Sequence, residues 1–214
     1  MNAQTQSLTI AGPAGAIEAL LDVPERDLFD APHGTAVIAH PHPQFGGTMT
    51  NKVVQTIARA FVQCGWRAVR FNFRGVGASA GQYDDGRGEA EDMRAVIDRV
   101  APAGEGALAI GGFSFGAFVA CEVLSGLHAE SRATERIVLV GTACSRFAVP
   151  PLPADLHPQA LVVHGEHDDT VALAAVMDWA RPQSLPVTVV PGGEHFFHGQ
   201  LPLLKTLVTR HVRV

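Results

Sequence analysis

Residues 112–116, which read Gly-Phe-Ser-Phe-Gly, carry the most specific chemical pattern in the sequence. They follow an apolar segment that is typical of a buried strand and precede a segment with helical character. A serine at a sharp strand-to-helix turn has a strained backbone, so its neighbours must be small, and the turn lifts its hydroxyl above the sheet. The pattern predicts that Ser114 is a nucleophile and that the N–H of Phe115 contributes to an oxyanion hole. The alternative is a helix N-cap serine between glycines that serve only packing.

A serine hydroxyl needs a histidine that takes its proton and a carboxylate that orients this histidine. For a nucleophile on this type of turn, the chain order is serine, acid and histidine. Residues 164–171 (HGEHDDTV) follow a later apolar segment and predict Asp168 as the acid. Asp169 and Glu166 are its competitors, and Asp169 could instead cap a helix that begins near Val171.

The histidine is expected after the last predicted strand, where residues 191–198 read PGGEHFFH. This position favours His195 as the general base and keeps His198 as the alternative. The spacings are 54 residues from Ser114 to Asp168 and 27 residues from Asp168 to His195. Each interval is long enough to hold the elements that return the chain to the same edge of a sheet.

A second oxyanion donor is expected in residues 40–47 (HPHPQFGG), which follow another strand-like segment. Pro43 has no N–H, so the backbone N–H of Gln44 or of His42 is the candidate, and we favour Gln44. His40 and His42 have a spacing that occurs in metal sites, but they are more simply explained as residues that orient the loop through hydrogen bonds. We therefore expect no metal and no cofactor.

Residues 71–79 (FNFRGVGAS) also follow a strand-like segment, and their glycines permit a tight turn near the nucleophile. The glycine pair is too short and wrongly placed for a dinucleotide-binding fingerprint. Arg74 is predicted to pair with carboxylates near this turn rather than to bind substrate.

The rest of the sequence alternates strand-like and helix-like segments. Near-continuous apolar strands separated by helices indicate a mainly parallel sheet of about seven or eight strands, covered on both faces and joined to an antiparallel N-terminal hairpin. Ligands of such α/β sheets bind beyond the carboxyl ends of the strands, where the motifs above lie. The predicted strands are residues 7–10, 16–23, 35–39, 66–73, 107–112, 136–140, 161–163 and 187–190; the predicted helices are residues 51–64, 89–100, 115–127, 171–180 and 201–211.

Composition limits the function classes. The chain has 214 residues with a net charge of −5 and no basic block, which argues against nucleic acid or an anionic membrane as a partner. Its apolar runs are far shorter than the ~20 residues of a membrane span, and the first ten residues lack a signal-peptide pattern, so we expect a cytoplasmic protein. Its three cysteines fit neither a disulfide framework nor a zinc knuckle.

Several segments together resemble a family of small, capless bacterial α/β-hydrolases that is similar to the dienelactone hydrolases. The resemblance implies one α/β-hydrolase domain over residues 1–214, a Ser114–Asp168–His195 triad, and hydrolysis of an ester or thioester. Dienelactone hydrolases proper use a cysteine nucleophile, and Ser114 departs from that pattern. The segments lie between about residue 37 and residue 201 and read HPHPQFGGTMTNKVV, RFNFRGVGASAGQYD, GFSFGA, HGEHDDTV and GGEHFFHG.

The proline-rich residues 141–159 occupy the place where related folds insert a cap, and they are too short and irregular for a helical lid. We expect an open site with apolar walls from Phe45, Phe147, Phe196 and Phe197. This predicts a serine carboxylesterase for short- to medium-chain acyl esters, acting as a monomer or homodimer. A thioesterase, a small-substrate peptidase and a non-catalytic binding protein are the alternatives.

Overall fold

The computed structural model describes residues 5–25 and 28–213, which form an eight-stranded sheet with helices on both faces. The strand order is β1-β2-β4-β3-β5-β6-β7-β8. The β1–β2 and β2–β4 pairs are antiparallel, and the other neighbours are parallel. The predicted fold class is confirmed. The strands are β1 (Gln6–Gly12), β2 (Gly15–Asp22), β3 (Gly34–Ala39), β4 (Arg67–Phe71), β5 (Ala107–Phe113), β6 (Arg136–Val140), β7 (Ala160–Gly165) and β8 (Val187–Val190); the helices are α1 (Lys52–Gln63), α2 (Arg87–Val100), α3 (Phe115–Ala129), α4 (Leu173–Ala180) and α5 (Leu201–Val212).

The sheet separates two apolar layers. Helices α2, α3 and α4 cover one face, and helices α1 and α5 cover the other. Strands β3 and β5 lie in the middle of the sheet, and every residue of β3 is buried. A strand that is covered on both faces needs apolar residues on both sides, which explains the unbroken apolar runs in the sequence.

Helix α1 shows how local sequence sets an element. Its apolar residues recur with the helical period, and the Asn51 side chain caps its first turn by accepting a hydrogen bond from Val53 N at 2.9 Å. The helix ends before Gly65, whose φ of +83° favours glycine. The indole N–H of Trp66 donates to Val212 O at 3.2 Å, and this bond links the start of β4 to the end of α5.

Helix α4 begins at Leu173, two residues later than the sequence predicts. The Asp168 carboxylate accepts hydrogen bonds from Thr170 N and Val171 N, and this turn holds the chain out of helical geometry. The idea that Asp169 caps the helix is wrong, because Ala172 occupies the N-cap position and no side chain caps it.

The segment between β6 and β7 contains no α-helix and only a short 3-10 turn at Ala154–Gln159, as the sequence predicts. It forms no helical lid over the carboxyl edge of the sheet. Among the residues that the structure describes, no helix has the length and apolar character that crossing a membrane requires.

Candidate active site

The turn between β5 and α3 holds Ser114 in a left-handed conformation, with φ 57° and ψ −116°. A non-glycine residue in such a region costs roughly 1–3 kcal/mol, which the surrounding structure must offset. Ser114 N donates to Val140 O at 2.8 Å, so the neighbouring strand holds the turn. A Cβ on Gly112 would lie 2.3 Å from Gly116 O, and a Cβ on Gly116 would lie 2.5 Å from Ala39 O. Both glycines are therefore sterically required.

Ser114, His195 and Asp168 form a continuous chain of hydrogen bonds at the carboxyl edge of the sheet. His195 Nε2 lies 3.1 Å from Ser114 Oγ, and His195 Nδ1 lies 2.6 Å from Asp168 Oδ2. The relative exposures of the serine, histidine and aspartate are 7%, 3% and 7%. The structure thus brings together the three residues that the sequence predicts as nucleophile, base and acid.

The backbone after β7 orients the Asp168 carboxylate. Oδ1 accepts hydrogen bonds from Val171 N at 2.7 Å and Thr170 N at 3.0 Å, which leaves Oδ2 for His195. Burial alone would raise the pKa of this carboxyl, but the hydrogen bonds from His195 and Val171 outweigh burial and leave the pKa below its ordinary value. The ionised carboxylate keeps a proton on His195 Nδ1, so Nε2 is free to accept the Ser114 proton.

A second buried histidine, which the sequence motifs do not indicate, lies beside Asp168. His164 Nε2 donates to Val171 O at 2.9 Å and lies 3.5 Å from Asp168 Oδ2. Burial lowers the pKa of His164 despite the nearby carboxylate. The neutral ring therefore supports the turn around Asp168 without adding a charge. Its position four residues before the acid is the signal that could have revealed it.

The alternative acids and the alternative base lie outside this chain of hydrogen bonds. Glu166 accepts a hydrogen bond from Gly192 N at 2.8 Å, and Asp169 is exposed. His198 is paired with Glu194 at 2.9 Å on the surface. Glu166 and His198 therefore bind other partners, and Asp169 faces the surface.

The β3 loop (residues 40–47) is fastened by His40, which is fully buried. His40 Nε2 accepts a hydrogen bond from Phe73 N at 3.0 Å, and Nδ1 donates to Pro41 O at 2.6 Å. Burial lowers the pKa of His40 to about 4, although the bond to Pro41 opposes this effect. This histidine orients the loop, as expected. The described residues contain no group of three or more histidine, cysteine or acidic side chains that could hold a metal ion.

His42 connects the β3 loop to Tyr83, a residue that the sequence motifs do not indicate. His42 Nδ1 accepts a hydrogen bond from Gln44 N, and His42 Nε2 lies 3.2 Å from the Tyr83 hydroxyl. The N–H of Gln44, the second oxyanion donor that the sequence predicts, is therefore engaged within its own loop. The available signal for Tyr83 was that it is the single tyrosine of the chain and lies in a segment that carries the family resemblance.

Four aromatic rings pack around His42, and one of them, Phe115, is the first residue of α3. Its ring centroid lies 4.8 Å from that of Phe45, 4.9 Å from Tyr83, 5.0 Å from Phe115 and 5.9 Å from Phe147. Phe45 is 84% exposed, and Phe115 is fully buried. Because Phe115 directly follows Ser114, these aromatic rings adjoin the predicted nucleophile.

The two phenylalanines after His195 have different environments. Phe196 is 43% exposed, and its ring lies 5.1 Å from the His195 ring, so it borders the site. Phe197 is 0% exposed and belongs to the core beneath α1 and α5. The expectation that Phe197 lines the substrate site is wrong, because its turn, with φ +53°, directs the ring into the protein interior.

Arg74 is a structural residue, as the sequence predicts. Its guanidinium binds the buried Asp92 carboxylate through bonds of 2.9 and 3.0 Å and also lies 3.5 Å from Glu91. These contacts join the turn after β4 to helix α2.

The sheet, the strained serine turn and the absence of a lid define a capless serine hydrolase of the α/β-hydrolase fold. The chain belongs to the family described as "Serine aminopeptidase, S33", whose model matches residues 30–158. It is similar to a lidless serine hydrolase of Xanthomonas campestris, with 35% identity and a TM-score of 0.86 over 99% of this chain and 95% of that chain. A Coxiella burnetii serine hydrolase homologue has 35% identity and a TM-score of 0.81 over 97% of each chain. An uncharacterised Rickettsia prowazekii protein is 31% identical over 76% of this chain and 71% of that protein.

Proposed function

We propose that this protein is a serine carboxylesterase that cleaves short- to medium-chain acyl esters. The observation that carries the proposal is the hydrogen-bonded chain Ser114–His195–Asp168 at the strained turn after β5. The strain supports a catalytic role, because a serine that served only as a helix cap would not need a left-handed backbone.

In the proposed reaction, Ser114 Oγ attacks the acyl carbonyl carbon while His195 Nε2 takes the hydroxyl proton. The tetrahedral intermediate then collapses, and the imidazolium gives its proton to the departing alcohol oxygen. Water attacks the acyl-enzyme with His195 again as the base, and the carboxylic acid leaves. The Asp168 carboxylate stabilises the imidazolium in both steps. The reaction needs no cofactor, since side chains supply the nucleophile and the base.

We assign the oxyanion hole to two backbone groups. Phe115 is the first residue of α3, so its N–H has no partner within the helix and lies beside the serine. The second donor in this proposal is the N–H of His42, since that of Gln44 is engaged with His42 Nδ1. The tight contact between Gly116 and the backbone of Ala39 supports this choice, because it brings the start of α3 against the β3 loop.

The open edge of the sheet supports small substrates. None of the residues that the structure describes forms a helical lid over the site, and exposed rings at Phe45 and Phe196 offer a limited apolar surface. Long acyl chains would remain largely in water, so their extra methylenes would add little to binding. Esters with two to eight acyl carbons are expected to react faster than those with sixteen.

The deciding experiment is fluorophosphonate labelling followed by intact mass and peptide mapping. A single adduct on Ser114 is expected, together with a loss of several orders of magnitude in ester turnover in Ser114→Ala. His195→Asn should lose turnover similarly, whereas His198→Asn is the matched control and should remain within twofold of wild type. A folded protein without an adduct, or full turnover in Ser114→Ala, would refute the assignment.

The same catalytic residues could serve a thioesterase or a small-substrate peptidase, and the family description names an aminopeptidase. Matched substrates separate these activities: one acyl group joined to oxygen, sulfur or nitrogen. We expect the highest kcat/KM for the oxygen ester. A preference of more than tenfold for the thioester or the amide would replace the esterase proposal with that alternative.

A further inference from the structure

The two ring nitrogens of His42 have different and defined roles. Nδ1 accepts a hydrogen bond from Gln44 N, so it carries no proton. Burial lowers the pKa of His42, although the charge of Asp85 opposes this effect, so the ring is neutral near pH 7. Its single proton therefore lies on Nε2 and faces the Tyr83 oxygen at 3.2 Å.

The Tyr83 hydroxyl continues the same chain of hydrogen bonds. Burial, together with the nearby charge of Asp85, raises the pKa of Tyr83 to about 12, so the hydroxyl keeps its proton while its oxygen accepts from His42. The backbone around Asp85 is itself anchored, since the Glu89 carboxylate accepts hydrogen bonds from Asp84 N at 3.0 Å and Gly86 N at 2.8 Å. The start of α2 thus fixes the backbone that directly follows Tyr83, whose hydroxyl contacts the His42 ring.

The His42 main chain belongs to a tightly closed loop. His42 O accepts hydrogen bonds from Phe45 N at 3.2 Å and Gly47 N at 3.0 Å. A Cβ on Gly47 would lie 2.0 Å from Pro41 O, so the two ends of this turn are in close contact. Because Nδ1 of the His42 ring accepts from Gln44 N in the same closed loop, the orientation of the ring is linked to the conformation of the backbone that carries the His42 N–H.

We propose that Tyr83 is a positioning residue of the oxyanion hole, which it serves by holding the His42 ring and thereby aiming the His42 N–H. This inference rests on the proposed function. Tyr83 itself touches neither the substrate nor the reacting atoms. An oxyanion donor strengthens its bond only in the transition state, so a misdirected donor lowers kcat and leaves KM unchanged.

Tyr83→Phe removes one oxygen atom and keeps the ring that packs against His42 and Phe115. Complete loss of an oxyanion donor costs about 10²–10³ in kcat. Misdirection should cost less, and we expect a fall of about tenfold in kcat with KM within twofold of wild type. The inhibition constant of a trifluoromethyl ketone, which forms a tetrahedral oxyanion on the serine, should rise by the same factor as kcat/KM falls.

Two further variants make the comparison specific. Asp85→Asn keeps a side chain that tolerates the left-handed backbone (φ 52°) but removes the negative charge that acts on both Tyr83 and His42, and it should lower kcat by about two- to fivefold. Ser125→Ala is the control, because it removes a partly buried hydroxyl whose bond to Cys121 O lies within α3. It should leave kcat, KM and the inhibition constant unchanged.

A spectroscopic measurement tests the coupling without any substrate. The ¹⁵N spectrum of the imidazole nitrogens should show His42 protonated only at Nε2 in the wild type, and His42→Asn identifies its signals. Tyr83→Phe should move part of the population to the Nδ1–H form. A wild-type His42 that carries its proton on Nδ1 would overturn the proposal.

The kinetic results separate this inference from the proposed function. If Tyr83→Phe is folded and retains wild-type kcat and inhibition constant, the positioning role is wrong and the esterase assignment stands. An increase in KM with unchanged kcat would also overturn it, since Tyr83 would then contact substrate. If the wild type neither turns over esters nor reacts with the fluorophosphonate, the proposed function fails, and the nitrogen spectrum alone decides the His42–Tyr83 coupling.

Discussion

Asp168→Asn replaces the proposed catalytic acid by a side chain of the same shape. Asp168 Oδ1 accepts hydrogen bonds from Thr170 N at 3.0 Å and Val171 N at 2.7 Å, and Oδ2 lies 2.6 Å from His195 Nδ1. An asparagine oxygen can keep both backbone bonds, which turns its NH₂ group towards His195. Because two donors cannot face each other, His195 Nδ1 must lose its proton and accept a hydrogen bond from the amide.

The magnitude follows from the tautomer that this change imposes. The remaining proton lies on Nε2, 3.1 Å from Ser114 Oγ, where an acceptor is needed. The equivalent change in a well-studied serine protease triad lowers kcat about 10⁴-fold. We expect a fall of about 10³–10⁴-fold here, which corresponds to roughly 4–5.5 kcal/mol of activation free energy. KM should stay within about threefold, because the oxyanion and acyl surfaces are unchanged.

The assay is the initial rate of 4-nitrophenyl butyrate hydrolysis at pH 7.5, with protein folding checked by circular dichroism. Asp169→Asn is the matched control, since this exposed neighbour lies outside the chain of hydrogen bonds, and it should retain the wild-type rate. The reasoning fails if folded Asp168→Asn keeps more than a tenth of wild-type kcat, or if Asp169→Asn loses as much.

Three further predictions concern the turn and its surroundings. Ser114→Gly should abolish turnover but raise the free energy of unfolding by about 1 kcal/mol, because glycine tolerates the left-handed backbone; a lower melting temperature would contradict the strain argument. Gly116→Ala should cost more than about 2 kcal/mol, since its Cβ would lie 2.5 Å from Ala39 O, and urea unfolding at wild-type stability would contradict this. His40 has a folded-state pKa of about 4 against an ordinary 6.5. Its contribution to the free energy of unfolding is therefore fully present above pH 6.5 and is lost as the pH falls to 4. The loss should reach about 3 kcal/mol in urea titrations, and His40→Gln should show a correspondingly flatter pH dependence.

Much of the fold follows from local patterns. The bounds of β6 and β8 agree with the sequence prediction, and α1 differs only by its capping residues. These elements are predictable because buried strands and amphipathic helices each produce a characteristic spacing of apolar residues. The start of α4 was misplaced because the Asp168 carboxylate reorganises the backbone after β7, and such a side-chain bond has no periodic signature.

Some features of the candidate site could likewise be predicted from local patterns, and others could not. Ser114, Asp168 and His195 could be proposed because a strand-to-helix turn, small neighbours and the order of the motifs are local properties of the chain. The sequence could not predict that Phe197 is buried while Phe196 is partly exposed. The two adjacent side chains are identical, and only packing in the folded protein distinguishes them.

An α/β sheet, a chain without a helical cap and a candidate serine triad could all be predicted from residue types and their spacing alone. The folded arrangement was needed to see which backbone N–H of the β3 loop is engaged, that His164 supports the turn around Asp168, and that the Tyr83 hydroxyl contacts His42. These contacts join residues from separate loops, and their partners are chosen by distances of about 3 Å that arise only when the strands align at one edge of the sheet.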